Sequence, residues 1–311
     1  MSYLYYKAIN WNETQDTIDQ YTWEKLTNNF WLDTRLPIEE DFPTWDTLSL
    51  TDRTTISQLL ATLGLNASLQ AETGAASLRT TIQTQQEEAV LNITTFMESV
   101  HTKAITTLFR QLNTEEQTQR YYDFANKQDS QIQQLERCQR IMETGTSLQK
   151  KAAFVLVETV LFFGKLEPLL QQEQLIQTRQ MITNMLKDSS IFTSYLGYKF
   201  QLVFDQLEKN EKHEFKTWLD SLITELFTVE IHWLTGQLDT ESAKSSTQFV
   251  AYGANYALET LGFSPNYPAH LPSRISNYLE KTLLTVEQLK KQATTIYTSE
   301  LEIMENDDYD F

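Results

Sequence analysis

Cysteine is nearly absent from this chain of 311 residues, which carries Cys138 alone. A single thiol builds no disulfide framework and no thiolate metal cluster, and it fits a reducing, cytoplasmic setting. Breakers are scarce as well. Gly occurs 8 times and Pro 6 times, and between Asn113 and Gly253 the one proline is Pro168. Such a stretch favours long helices over many short strands, so the expected fold is all-α. Basic residues are also few, 25 Lys and Arg against 42 Asp and Glu, for a formal net charge of -17. That sign argues against nucleic acid and against an anionic membrane surface as partners. Long apolar runs are missing. The opening residues Met1-Ser2-Tyr3-Leu4-Tyr5-Tyr6-Lys7 lack the apolar stretch of a signal peptide. The most apolar run, Ala152 to Phe163, is too short to span a bilayer and contains Glu158. A soluble protein is expected.

What is there reads as helix. To about Asp46 the chain holds Trp11, Trp23, Trp31 and Trp45 with Pro37 and Pro43, the pattern of an irregular arm with short helices that wraps something larger. From Ser49 onward apolar residues recur at helical spacing: Leu59-Leu60-Leu63, then Val90-Leu91-Phe96-Met97-Val100-Leu108, then Phe154-Val157-Leu161, then Met181-Met185-Ile191-Tyr195-Tyr198. Thr51-Asp52 and Thr114-Glu115-Glu116 are helix starts by composition. Further helices are expected at about 213–236, 241–261 and 283–300, with breaks at Gly262-Phe263-Ser264-Pro265 and from Pro268 to Pro272. The expected organisation is one helical domain over 1–296 and an acidic, mobile tail over 297–311.

One motif carries chemistry. A Glu and a His three apart share a helical face and can grip one metal, and Glu98-Ser99-Val100-His101 has that spacing. Glu158 is a lone acid among apolar neighbours, and an unpaired buried carboxylate is strongly destabilising. A four-helix bundle holding two metals takes one carboxylate from each of two helices and Glu-x-x-His from each of the other two. Here the second Glu-x-x-His is missing, since the matching segment reads Lys187-Asp188-Ser189-Ser190-Ile191-Phe192. Taken alone, Glu98 and His101 also read as a surface pair or a satisfied core pair.

The chain resembles the small, radical-generating subunit of class Ib ribonucleotide reductase from end to end. The likeness is carried by Ala8-Ile9-Asn10-Trp11-Asn12, Asn29-Phe30-Trp31-Leu32, Glu87-Glu88-Ala89-Val90-Leu91, Phe96-Met97-Glu98-Ser99-Val100-His101, Leu196-Gly197-Tyr198-Lys199-Phe200-Gln201, Asn255-Tyr256-Ala257-Leu258 and Leu261-Gly262. The resemblance implies a ferritin-like helical bundle and six metal ligands, an Asp, a Glu-x-x-His, a Glu and a second Glu-x-x-His, with a radical Tyr four residues after the first His. Glu98, His101 and Glu158 match that pattern. The Asp position falls on Ala67, the second Glu on Ser189, the second His on Phe192 and the radical Tyr on Ile105. Ala, Phe and Ile have no ligating atom, and a Ser hydroxyl substitutes poorly for a bridging carboxylate. The three remaining ligands leave two outcomes: a charged hydrogen-bonded cluster without metal, or one Fe or Mn ion with water completing its shell.

The resemblance also implies a radical-transfer path through Trp31, Asp188 and His101, continued by Tyr297 in the tail. It implies docking on a large (alpha) subunit through the acidic end carrying Tyr309 and Phe311. It implies homodimerisation, or heterodimerisation with an intact homologue, and an activating flavodoxin-like protein. Three functions compete: a small (beta) subunit acting with its large subunit in deoxyribonucleotide synthesis, a non-catalytic paralogue that regulates or scaffolds an intact reductase, and a ferritin-like protein with a mononuclear metal.

Overall fold

The computed structural model describes residues 8–299, with the side chains of 296–299 outside the description. Tyr309, Phe311 and the side chain of Tyr297 therefore lie outside the described residues. The chain forms α1 (Thr17–Asn28), α2 (Phe42–Thr47), α3 (Leu50–Leu69), α4 (Ala75–Leu78), α5 (Gln85–Leu112), α6 (Glu115–Ala125), α7 (Asp129–Thr144), α8 (Ser147–Leu170), α9 (Ile176–Phe204), α10 (Lys209–Gln237), α11 (Thr240–Thr260), α12 (Ser273–Thr282) and α13 (Val286–Ser299). Among the described residues there is no strand. No helix among them is long and apolar enough to cross a membrane.

Capping explains where several helices begin. Thr114 and Thr146 each close a capping box with a Gln three residues on, Gln117 and Gln149, which satisfies otherwise orphaned N–H groups. The α3 start differs from expectation, because Ser49 and not Thr51 is the cap: its side chain accepts from Asp52 N and the helix begins at Leu50. The expected helix near 283–300 is preceded by a further one, α12, which Pro272 opens from the N-cap side. The arm is more regular than expected, since α1 runs for 12 residues. At the end of α11, Gly262 takes a positive φ of 82°, the left-handed conformation that glycine adopts at a helix C-terminus without strain.

The helix α8 is the axis of the bundle. It is apolar on nearly every side, every residue from Lys150 to Leu170 is buried, and it packs against α3, α7, α9, α10 and α11. A helix hydrophobic all round has to be enclosed by others. One of its charges is paired across the bundle: Lys165 Nζ lies 2.5 Å from Glu230 Oε1 of α10, both fully buried, and Gln131 of α7 donates to Glu230 Oε2 at 3.1 Å. Just after α3 the backbone makes a π-helical turn over Gln70–Gly74, which points the Gln70 amide at α8.

The arm is fixed along α9 at two places. Lys199 Nζ lies 2.6 Å from both Asp16 Oδ2 and Asp19 Oδ1, and buried Asp19 also accepts from Tyr195 OH and from Thr84 Oγ1, each at 2.7 Å. About 16 Å further along α9, by helical rise, Asp188 receives Asn29 and Trp31 from the other end of α1. Removing one member of a buried ion pair leaves an uncompensated charge. Lys165→Met is expected to lower the urea unfolding free energy by about 3–5 kcal/mol, and adding Glu230→Leu to recover most of the loss.

Candidate functional site

Four helices face the centre of the bundle: α3 with its π-helical turn, α5, α8 and α9. Glu98 and His101 project from α5, where the three-residue spacing puts them on one face, and both are buried. His101 Nδ1 lies 3.2 Å from Glu98 Oε2, and His101 Nε2 lies 3.0 Å from Asp188 Oδ2. The same Asp188 oxygen accepts from Trp31 Nε1 at 2.8 Å, and its other oxygen accepts from Asn29 Nδ2 at 2.7 Å. The Trp31 ring is stacked on His101, with centroids 5.9 Å apart and planes 22° apart. Trp31, Asp188, His101 and Glu98 thus form one continuous hydrogen-bonded chain.

An imidazole with a carboxylate at each nitrogen is held as the doubly protonated imidazolium, because both partners can only accept. Burial works against that charge, but the charge of Glu98 and the hydrogen bond to Asp188 outweigh it and raise the pKa to about 10. A metal ion at either nitrogen would have to displace a proton held by a carboxylate.

Glu158, on α8, stands in a second group. Its Oε2 accepts from Ser189 Oγ and its Oε1 from Gln70 Nε2, the latter at 2.8 Å. Burial first, and then the neighbouring charge of Glu98, push its pKa up to about 8, against the pull of the hydrogen bonds from Ser189 and Gln70. The remaining positions are apolar and buried: Ala67 on α3, Ile105 on α5, and Phe192 on α9, whose ring centroid lies 6.3 Å from that of His101.

The sequence of residues 8–274 matches the family described as "Ribonucleotide reductase, small chain". This chain belongs to the ribonucleotide reductase small-subunit family. It is 31% identical over 269 residues to ribonucleoside-diphosphate reductase 2 subunit beta of Escherichia coli (strain K12), covering 85% of this chain and 84% of that protein. To ribonucleoside-diphosphate reductase subunit beta nrdF2 of Mycobacterium tuberculosis it is 31% identical over 268 residues, covering 84% and 82%. The crystal structure of Streptococcus sanguinis dimanganese(II)-NrdF superposes with a TM-score of 0.82 at 37% identity, covering 85% of this chain and 95% of that one. The fold is accordingly the ferritin-like helical bundle of reductase small subunits.

The donors of this small-subunit homologue do not fit a pair of metal ions. Of the three acid and imidazole side chains expected from the resemblance to be ligands, His101 has both nitrogens engaged, Glu158 has both oxygens engaged, and Glu98 Oε1 alone is buried without a partner. Among the described residues no group of three or more His, Cys, Asp and Glu side chains is placed to hold a metal ion. The family resemblance implied a path through Trp31, Asp188 and His101, which the structure brings together, but gave no role to Asn29 or Gln70. Asn29 stands two residues before Trp31 in one of the stretches that carry the likeness. The role of Gln70 depends on the π-helical turn, which leaves no pattern in composition.

Both buried groups bind their protons more tightly folded than unfolded, where Glu titrates near 4.5 and His near 6.5. The stability they contribute is therefore complete below those values and is lost as pH rises through about 8 for Glu158 and about 10 for His101. Urea titrations are expected to show stability falling across that window, with a shallower fall above pH 6.5 in His101→Gln and a shallower fall from pH 4.5 to 8 in Glu158→Gln.

Proposed function

We propose that this protein is a small (beta) subunit homologue that associates with a ribonucleotide reductase large (alpha) subunit in deoxyribonucleotide synthesis, without generating a tyrosyl radical of its own. The observation that carries this reading is the occupancy of the centre by the chain's own side chains. Glu158 is satisfied by Ser189 and Gln70, and buried Ala67, Phe192 and Ile105 are the positions at which the resemblance implies three further functional groups. Each replacement suits the others. Removing acids lowers the mutual repulsion of an empty carboxylate cage, and burying Phe192 contributes about 1.5–3 kcal/mol.

The engaged nitrogens of His101 weigh against the mononuclear-metal alternative and favour a non-catalytic partner that scaffolds or regulates an intact reductase. Its remaining chemistry is the route from Trp31 through Asp188 to His101, which holds protons and aromatic rings in line but has no oxidisable tyrosine at position 105. Docking through the end that carries Tyr309 and Phe311 suits an acidic segment with aromatic anchors. Pairing with a second copy or with an intact homologue belongs to the same reading.

Two experiments test it. Sedimentation of the full chain with the large subunit from the same organism is expected to show a complex, lost when residues 309–311 are removed. A full chain that fails to bind would overturn the proposal. Ile105→Tyr, treated with Fe(II) and oxygen, is expected to give no tyrosyl signal by electron paramagnetic resonance, and a strong signal would contradict the assignment of the centre.

A further inference from the structure

A cleft of about 540 Å3 lies between the C-terminal end of α1, the middle of α9, and α12 with α13. Its size is that of small-ligand sites. Lys25, Asn29, Lys187, Ile191, Gln288 and Gln292 are among its walls. Lys25 and Lys187 are both half-buried, and among the described residues neither forms an ion pair. Lys25 Nζ reaches only neutral oxygens, Tyr21 OH at 3.5 Å and Gln292 Oε1 at 3.3 Å, and burial pulls its pKa below the ordinary lysine value.

The acids on the same walls are engaged along their own helices. Glu24 accepts from Gln20 at 2.9 Å and Glu280 from Ser276 at 3.1 Å. In a chain with 42 acids against 25 bases, two half-buried lysines on one cleft, neither of them ion-paired among the described residues, are unexpected, because lysine is seldom withdrawn from water unpaired. Asn29 links this cleft to the interior. It lines the wall, and its Nδ2 donates to Asp188 Oδ1, on the carboxylate that also holds Trp31 and His101.

We propose that this cleft binds a carboxylate-bearing ligand between Lys25 and Lys187, and that Asn29 transmits its occupancy to the Asp188–Trp31 hydrogen bond. Lys25, Lys187 and Lys281 against Glu24 and Glu280 leave one net positive charge on the walls, three minus two. That matches one carboxylate and falls short of a phosphate ester at about -1.5 to -2. The side-chain amides of Gln288 and Gln292 supply neutral donors and acceptors beside the charge. The carboxylate is either that of a free small molecule or an acidic side chain of a peptide, and the two sources separate by experiment. The inference does not depend on the state of the metal positions or on docking to a large subunit.

The test uses the full chain labelled with 15N, reading the indole N–H signals, with Trp31 assigned through Trp31→Phe. The probes are N-acetylglycine, an acetylated and amidated pentapeptide with one central aspartate, and inorganic phosphate. Either carboxylate probe is expected to shift the Trp31 signal saturably with a Kd below about 1 mM, and the tighter of the two identifies the source. Lys25→Gln and Lys187→Gln are each expected to weaken binding about tenfold or more. Asn29→Ala is expected to retain binding by calorimetry while the Trp31 signal no longer responds. The proposal is overturned if neither carboxylate probe binds saturably, if phosphate binds as tightly, if the lysine variants bind unchanged, or if the Trp31 response survives in Asn29→Ala.

Discussion

Asp188 accepts hydrogen bonds from three side chains in two separate parts of the chain: Asn29 and Trp31 of the arm, and His101 of α5. A carboxylate that is 1% exposed is tolerable only because those donors replace its lost water. The arrangement fixes more than one acid. It pins the end of the arm to α9, sets the Trp31 ring on the imidazole, and gives His101 the second carboxylate that keeps it cationic. The clasp of Lys199 with Asp16 and Asp19 fastens the other end of α1, so the arm lies along α9 with both ends held by buried charge.

With His101 committed to Asp188 and Glu98, the rest of the centre follows. Glu158 sits on the enclosed helix α8 and has no basic group within hydrogen-bond reach, so its needs fall to neutral donors. Ser189 and Gln70 supply them, the second by way of the π-helical turn. A hydroxyl and an amide accommodate a carboxyl group in either protonation state. Phe192, beside the His101 ring, and Ile105 are both buried, as close packing of an interior demands. Two oxygens are left out: Glu98 Oε1 and Gln70 Oε1 are buried without a partner.

Much of this was legible in the residues. The spacing of Glu98 and His101 placed both on the inner face of α5, the unbroken apolar text around Glu158 marked α8 as the enclosed helix, and Thr114 announced the start of α6. The boundaries that were missed share a cause. Ser49 caps α3 with its hydroxyl and Pro272 opens α12 through its backbone, local effects to which hydrophobic period is blind. The division of Glu98, His101 and Glu158 into two hydrogen-bonded groups depends on Asn29 and Gln70, short polar residues whose partners lie 159 and 88 positions away along the chain. No local pattern encodes contacts of that kind.

The central claim is that His101 and Glu158 of this small-subunit homologue are engaged by its own side chains. Metal bound per chain, measured by elemental analysis after anaerobic loading with Mn(II) or Fe(II) and desalting, tests it directly. The account predicts a value near zero, because a single free carboxylate oxygen gives a weak site. A value near about two per chain, the occupancy of a full dinuclear site, would contradict it.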